Sequence, residues 1–217
     1  MSLFKAIQLG YDPYYERILF RLGDTTFSYN PKNKGWISKH DYLPEKFFNT
    51  KRELYSSVDN DLYEHNHGNR GEYYDVVFDT VYEFVDNRAP DQSKIATTLW
   101  IDSSVYDADN KLELHKTFDA FQIFNKNQDT GVLDIEYFAD NSDNPYIGNA
   151  RKTQNKWFIN QFRDLSNMPD NISADLEWAY KRRMQEHYQQ IKLIKNNELN
   201  EKILLFRTNL IFKESIR

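Results

Sequence analysis

The sequence predicts a mainly β protein with one substantial C-terminal helix, an α+β architecture. Three observations favour it. Short runs of alternating apolar and polar residues recur along the chain, and Asn, Asp, Pro or Gly closes each run, as in half-buried antiparallel strands. The runs follow one another closely, which is typical of a meander, a sandwich or propeller-like sheets. One amphipathic stripe near the C-terminus has helical spacing instead.

The stretch from Gly35 to Asn66 shows the strand pattern most plainly. Trp36 opens a strand, and Leu43-Pro44 ends one. The run 53–57, the turn 59–61 and the run 62–65 together predict a hairpin.

Strands are expected on both sides of that stretch. Gly23-Asp24 separates two alternating runs, 17–22 and 25–29, and a two-residue glycine turn predicts a hairpin there. The segment 65–75 is rich in Gly and Asn without periodicity, so we expect an exposed loop. The further predicted strands are Asp75–Asp86, Ile95–Asp102, Lys116–Asn125 and Val132–Phe138.

The pattern changes around Arg151. The aromatic segment 151–168 fits either a helix or a strand with a bulge. Ser173 is a candidate N-cap, and acidic residues follow it in the first turn. The stripe between Leu176 and Ile194 predicts one helix from Ser173 to Asn196, or a helix that breaks into strand near Ile191. The segment 202–213 reads as one or two closing strands, which gives a β-rich domain, 1–170, and a second part, 171–217.

Composition excludes several classes of function. The chain carries 28 Lys and Arg against 33 Asp and Glu, interspersed, so it lacks the basic stripe that nucleic-acid binding requires. It has no Cys, and therefore no disulfide, thiolate metal site or Cys nucleophile. The N-terminal apolar run is too short for a signal segment, and no window reaches the length of a membrane span, so we expect a soluble protein made in the cytoplasm, without a membrane partner.

The aromatic content predicts that some rings lie on the surface. The chain has 15 Tyr and 15 Phe, more than a core requires, so some rings are expected on the surface. Tyr offers apolar area together with a hydroxyl, which suits contact with a protein neighbour or with a carbohydrate.

Candidate chemical sites are weak. His65 and His67 form an H-x-H pair that could bind a metal, but no third ligand accompanies them, and a solvated loop is the better interpretation. The carboxylate pairs would suit acid-base work or calcium, but turn chemistry explains them more simply; they are Asp59 with Asp61, Asp107 with Asp109, and Asp140 with Asp143. No serine elbow and no phosphate loop appears. We therefore predict no enzyme, with no catalytic residue, cofactor or metal.

The predicted helix has two interpretations. It packs on its own sheet, the more usual arrangement, or it docks into a neighbouring subunit with Lys181-Arg182-Arg183 facing outward. For the second case the candidate interface residues are Trp178, Tyr180, Arg182 and Tyr188.

The succession from Tyr11 to Asn66 resembles a segment of large virion structural proteins of crAss-like bacteriophages of Bacteroidales. The later strand ending near Trp100 and the segment KWFINQFRDL, 156–165, resemble the same proteins, so the likeness covers most of the chain. The matched residues of the first segment are Tyr29, Asn30, Gly35, Trp36, Ser38, Tyr42, Pro44, Leu62, Tyr63, His65 and Asn66.

The resemblance implies a tail role. In those proteins the segment lies towards the C-terminus of a much longer chain, the muzzle or tail stabilisation protein, which corresponds in position to the nozzle of short-tailed phages. This chain is far shorter, which leaves open a separately encoded piece, a processed product, or a ring or adaptor protein. The helix at 173–196 is not part of the family's pattern.

A subunit of this kind would form a homo-oligomeric ring in the virion, contact neighbouring tail proteins, and let DNA pass. Two alternatives come from other classes. One is a host-glycan-binding module with exposed aromatic platforms. The other is a polysaccharide hydrolase that uses a carboxylate pair from Asp107, Asp109, Asp140 and Asp143.

Overall fold

The protein is all β in the residues that its computed structural model describes, which are 7–135, 149–160, 162–166, 181–198 and 200–214. None of these residues is helical, so no membrane-spanning helix is found among them. The chain divides into two compact units, Met1–Phe78 and Asp79–Arg217. The predicted boundary between residues 170 and 171 lies outside the described residues.

The first unit contains a four-stranded sheet, a three-stranded sheet and a two-stranded ribbon, all antiparallel. Strand order follows chain order in each, β1-β2-β3-β4, β5-β6-β7 and β8-β9. The strands are β1 (Gln8–Asp12), β2 (Arg17–Leu22), β3 (Thr25–Asn30), β4 (Gly35–His40), β5 (Lys46–Asn49), β6 (Leu54–Val58), β7 (Asp61–Glu64), β8 (Glu72–Tyr73) and β9 (Val76–Val77).

Turn chemistry sets the hairpins, and both predicted hairpins of this unit are confirmed. Gly23 has φ 63° at the first turn position between β2 and β3, as a type II′ turn requires. Asp59 and Asn60 have φ 50° and 73° between β6 and β7, the signature of a type I′ turn. The predicted loop 65–75 contains β8 at its end, because Tyr74 and Asp75 also take positive φ and turn the chain back into β9.

The second unit contains a four-stranded sheet, a six-stranded sheet and a short ribbon. Its strands are β10 (Thr80–Asp86), β11 (Lys94–Tyr106), β12 (Leu112–Glu113), β13 (Ala120–Phe124), β14 (Leu133–Asp134), β15 (Ala150–Thr153), β16 (Lys156–Ile159), β17 (Arg163–Asp164), β18 (Arg182–Arg183), β19 (Gln185–Glu186), β20 (Gln189–Lys195) and β21 (Lys202–Glu214).

The two sheets of this unit share one core. The first has the order β10-β20-β13-β14, and in the second β11 pairs with β21 along one edge and with β12, β16 and β19 along the other. Large side chains from both sheets are fully buried together, among them Trp157, Phe121, Leu99 and Ile191. The segment around Arg151, left open by the sequence, forms the β15–β16 hairpin.

The predicted C-terminal helix is wrong for the residues of that segment that the structure describes. Residues 173–180 lie outside the described part, and 182–195 form β18, β19 and β20. In β20 the burial alternates strictly, with Ile191 and Leu193 inside and their neighbours more exposed. Tyr188, Ile191 and Ile194 also fit a helical spacing. The alternation with a period of two determines the structure, because β20 pairs with both β10 and β13 and its β-branched residues favour a strand.

A buried ionic cluster anchors the end of β20. The Lys195 ammonium lies 2.9 Å from an Asp119 carboxylate oxygen and 3.0 Å from a Glu201 oxygen, and Lys116 reaches the other Glu201 oxygen at 2.7 Å. Burial alone would lower the pKa of Lys195, but its two carboxylate partners raise it. Burial alone would likewise raise the pKa of Glu201, and the two lysines hold it below its usual range.

Candidate interaction surface

The outer face of the β1–β4 sheet is the strongest candidate for a functional surface. The cross-strand register aligns two rows of side chains on that face. One row is Leu9, Phe20, Phe27 and Lys39, and the other is Tyr11, Ile18, Tyr29 and Trp36. Seven of the eight are apolar or aromatic, yet none of the eight is buried.

The inner face of the same sheet carries the polar side chains. Asp12, Thr26 and Ser28 are buried there beside Leu19. Asp12 accepts from the Arg17 guanidinium at 3.0 Å and from the Asn66 amide at 3.0 Å. An antiparallel sheet with one wet face normally places its polar residues on that face. The polarity here is reversed, so the apolar outer face is the feature that demands an explanation.

Trp36 lies at the centre of an aromatic cluster on this face. Its ring centroid is 5.3 Å from Tyr29, 5.7 Å from Phe20 and 6.1 Å from Phe27, with tilted or edge-on rings. These contacts fix the indole, but 68% of Trp36 is still exposed. The β3–β4 register has a bulge between Ser28 and Tyr29. The bulge lies beside Trp36 and changes the direction of the edge strand β4.

A shallow apolar recess of about 630 Å³ opens on the face, and Lys39 is the only charged residue on its wall. The wall residues are Ile7, Phe20, Leu22, Phe27, Trp36, Ile37, Ser38 and Lys39. Strand spacing and rise give this sheet face an area on the order of 300 Å². A standard interface buries about 800 Å² on each partner, so the face has the size of an interface core rather than of a whole interface.

Of the four residues predicted for self-assembly, the two that the structure describes do not lie on this face. Trp178 and Tyr180 lie outside the described residues. Arg182 is exposed on β18, and Tyr188 is half-buried in the link between β19 and β20. Their common placement on one helix is contradicted, because the described part of that segment is strand.

The H-x-H pair is split between two environments. His65 is buried, with its Nε2 2.7 Å from the Ser56 hydroxyl, and burial lowers its pKa to about 4. His67 is exposed, 3.3 Å from a Glu64 carboxylate oxygen. Among the described residues no group of three His, Cys, Asp or Glu side chains is placed to hold a metal ion.

Ser56 and His65 have the spacing of a nucleophile and its base, but they lack access. The Ser56 side chain is fully buried, and its hydroxyl is also 2.8 Å from the Tyr74 hydroxyl. A substrate carbonyl cannot approach an oxygen enclosed in this way, so the pair is structural.

The predicted carboxylate pairs within the described residues lie in turns or directly beside them. Asp107 accepts from the Lys111 backbone N–H at 2.8 Å, and Asp109 is 3.9 Å from the Lys111 ammonium. Asp59 and Asp61 flank the β6–β7 turn. Asp140 and Asp143 lie outside the described residues.

Sequence reasoning missed the outer face itself. The signal was present in the alternation of FRL, TFSY and GWIS, whose apolar members share one side of the sheet. Alternation with a period of two places residues on two faces of a strand, but it does not determine which face packs against the core. No protein-family model matches this chain, and no curated protein is significantly similar to it.

Proposed function

We propose that this chain is a structural component of a short bacteriophage tail, a subunit of the muzzle or nozzle type. It assembles by protein–protein contacts around the DNA channel, with copies of itself and with neighbouring tail proteins. Two observations support the proposal: the resemblance to crAss-like virion proteins, and the exposed apolar face of the β1–β4 sheet.

The exposed apolar face of the β1–β4 sheet carries the proposal. The largest contiguous apolar patch on a typical monomer is about 300–600 Å² and is often functional, so this face is a candidate interaction site. Interface cores are enriched in aromatic residues and depleted of charge, as this face is. Removing the exposed part of Trp36 from water is worth about 3 kcal/mol before the entropic cost of association is subtracted.

A channel wall built from this chain would not retain DNA. The formal net charge is −5, so nonspecific attraction to phosphate is weak. A ring needs only a heterologous contact repeated about one axis until it closes.

Particle-level imaging tests the proposed function. Virions containing this protein are purified, their proteins identified by mass spectrometry, and the tail reconstructed. We expect stoichiometric recovery of the chain and density for it in a ring around the channel. Recovery only from the soluble fraction of infected cells, with none in the particles, would reject the proposal.

Recognition of a host glycan is the second candidate function. A recess of about 280 Å³ in the first unit combines the rings of Tyr63, Tyr73 and Tyr74 with polar groups of Asn69 and Glu72. Aromatic faces with amide and carboxylate groups suit a sugar ring and its hydroxyls. An array of bacterial surface polysaccharides tests it, with Tyr74→Ala as the comparison. Binding that Tyr74→Ala abolishes supports this function, and an array without any bound glycan removes it.

A further inference from the structure

The β17–β18 ribbon presents arginines that form no ion pair with any residue the structure describes. Arg163 on β17 is directly opposite Arg183 on β18, and both are exposed. Like charges at directly opposite strand positions repel each other. Arg182 precedes Arg183 on β18 and is exposed as well. We call Arg163, Arg182 and Arg183 the basic ribbon.

No carboxylate neutralises the basic ribbon within the described part of the chain. Asp164 is opposite Arg182, but it is buried and accepts instead from the Ser166 hydroxyl at 2.6 Å and the Ser166 and Asp129 backbone N–H groups at 3.0 and 3.1 Å. Burial would raise the pKa of Asp164, but these neutral donors hold it below its usual range.

A polar recess adjoins the ribbon. It has a volume of about 530 Å³, and Arg182 and Arg183 form part of its wall with Ser93, Gln128, Gln185 and His187. The one carboxylate on the wall, Glu186, already accepts from the Asn127 amide at 3.1 Å and the His187 backbone N–H at 3.0 Å. The two guanidinium groups on this wall outnumber its one carboxylate, so the recess favours an incoming anion.

An acidic surface of complementary character lies on the first unit. The β6–β7 hairpin and the turn after β8 bring together Asp59, Asp61 and Asp75. Tyr63 lies among them and donates to Asp75 at 3.3 Å, and burial together with these three carboxylates raises the pKa of Tyr63. No Lys or Arg pairs with the three carboxylates in the described residues. We call this surface the acidic edge, since β7 is an edge strand with a free side.

We propose that copies of this chain associate head to tail, with the acidic edge of one copy docked on the basic ribbon of the next. Guanidinium groups bind carboxylates through paired hydrogen bonds, which gives the contact direction as well as attraction. The contact joins two different surfaces, so its repetition about one axis can generate a ring or a filament. This inference rests on the proposed function, because it supplies the contact between ring subunits.

Nucleic acid is the competing partner for the basic ribbon. Its phosphates would also bind guanidinium groups, but the acidic balance of the whole chain opposes a long polyanion. The acidic edge is a short anionic surface that every copy carries. The observations therefore favour a second copy, and binding to DNA becomes an outcome of the test.

Charge reversal with complementation tests the contact. One variant carries Arg182→Glu and Arg183→Glu, and the other carries Asp59→Lys and Asp61→Lys. The mass distribution of each full-length protein is measured by sedimentation and mass photometry in low salt. We expect each variant alone to self-associate at least tenfold more weakly than the wild type, and an equimolar mixture of the two to regain assembly, because the mixture restores opposite charges at every contact.

The controls separate this contact from folding and from DNA binding. Lys34→Glu with Lys51→Glu repeats the charge change at two other exposed lysines and should assemble as the wild type does. Regained assembly in the mixture excludes misfolding of either variant.

Three results would overturn the inference: single variants that assemble normally, a mixture that does not regain assembly, or a wild type that stays monomeric. Loss of binding to random-sequence duplex DNA by the Arg182→Glu/Arg183→Glu variant, with assembly unchanged, would also overturn it. None of these results decides whether the chain belongs to the particle, which the reconstruction answers separately.

Discussion

At the scale of single residues, a buried polar-aromatic network supports the sheet that carries the apolar face. His65 and the ring of Tyr42 lie 5.6 Å apart, and Tyr42 stacks on Tyr73 at 4.4 Å. Burial also lowers the pKa of His40, to about 4. Two histidines that are neutral in the folded state make the first unit sensitive to acid.

The stability of the first unit is expected to fall between pH 6.5 and 4. The folded pKa of His65 is about 4 against 6.5 for the free side chain, so the unfolded chain binds more protons as the pH drops. The contribution of His65 is complete above pH 6.5 and decreases by up to roughly 3 kcal/mol at pH 4. Hydrogen exchange of peptides from β1 to β4 measures this loss.

Two histidine variants make that prediction specific. His65→Leu cannot titrate, so it should be less stable than the wild type at pH 7 but should lose less stability on acidification. His67→Gln, an exposed position in the same loop, should retain the wild-type pH dependence. An unchanged pH dependence in His65→Leu would contradict the assignment.

Gly10 of the same sheet lies close against the side chain of Phe47. A Cβ built on Gly10 would lie 2.6 to 2.9 Å from atoms of the Phe47 side chain. We expect Gly10→Ala to destabilise the first unit by roughly 1–3 kcal/mol, through overpacking. Thermal unfolding measures it, with Gly35→Ala as the open-site control. Equal stabilities of Gly10→Ala and Gly35→Ala would refute this account.

Some residue-level features follow from the sequence and others do not. Asn and Asp at turn positions and the surplus of rings are visible in it, and both predictions about them used local rules. The exposure of Trp36 and the burial of His65 are not visible. Each depends on which side of a strand the rest of the fold covers, and a period of two is silent on that choice.

At the scale of elements, the sequence predicts hairpins well and long-range pairs poorly. Gly23 and Asp59-Asn60 mark their turns because few residues accept the required φ. The insertion of β20 between β10 and β13 pairs segments about 110 and about 70 residues apart, and no local signal encodes that. The same pairing explains why this segment is a strand and not the expected helix. A strand with a neighbour on each side can bury Ile191 and Leu193 completely.

Lys195 should be the most sensitive position of β20. Lys195→Met leaves Asp119 without its cation and Glu201 with only Lys116, and breaking a buried pair costs about 3–5 kcal/mol. Urea unfolding measures the loss, and Lys192→Met, a more exposed position of the same strand, should cost far less. Equal effects of the two changes would contradict a buried ionic anchor.

The pH limits of that anchor follow from its pKa shifts. The pKa of Glu201 is lowered, so its contribution is present above the ordinary carboxyl pKa and is lost as the pH falls through the folded value. The pKa of Lys195 is raised, so its contribution is present below the ordinary amine pKa and is lost as the pH rises through the folded value. Lys195→Met should therefore flatten both limbs of the profile of stability against pH.

At the scale of the whole molecule, the proposed function depends on exposed surfaces. The apolar sheet face would form an interface core, and the basic ribbon and acidic edge would set the direction of assembly. Apolar contacts persist in salt, whereas ionic contacts weaken. High salt should therefore weaken assembly only in part.

The mass of the protein in solution tests the central claim most directly. The wild type should form species well above the 26.0 kDa of one chain as its concentration rises. Leu22→Ser with Trp36→Ser should remain folded and monomeric at the same concentrations, whereas Leu114→Ser with Val132→Ser, two exposed apolar positions of the other unit, should assemble normally. A wild type that stays at the mass of one chain, or a Leu22→Ser/Trp36→Ser variant that assembles as the wild type does, would contradict the account.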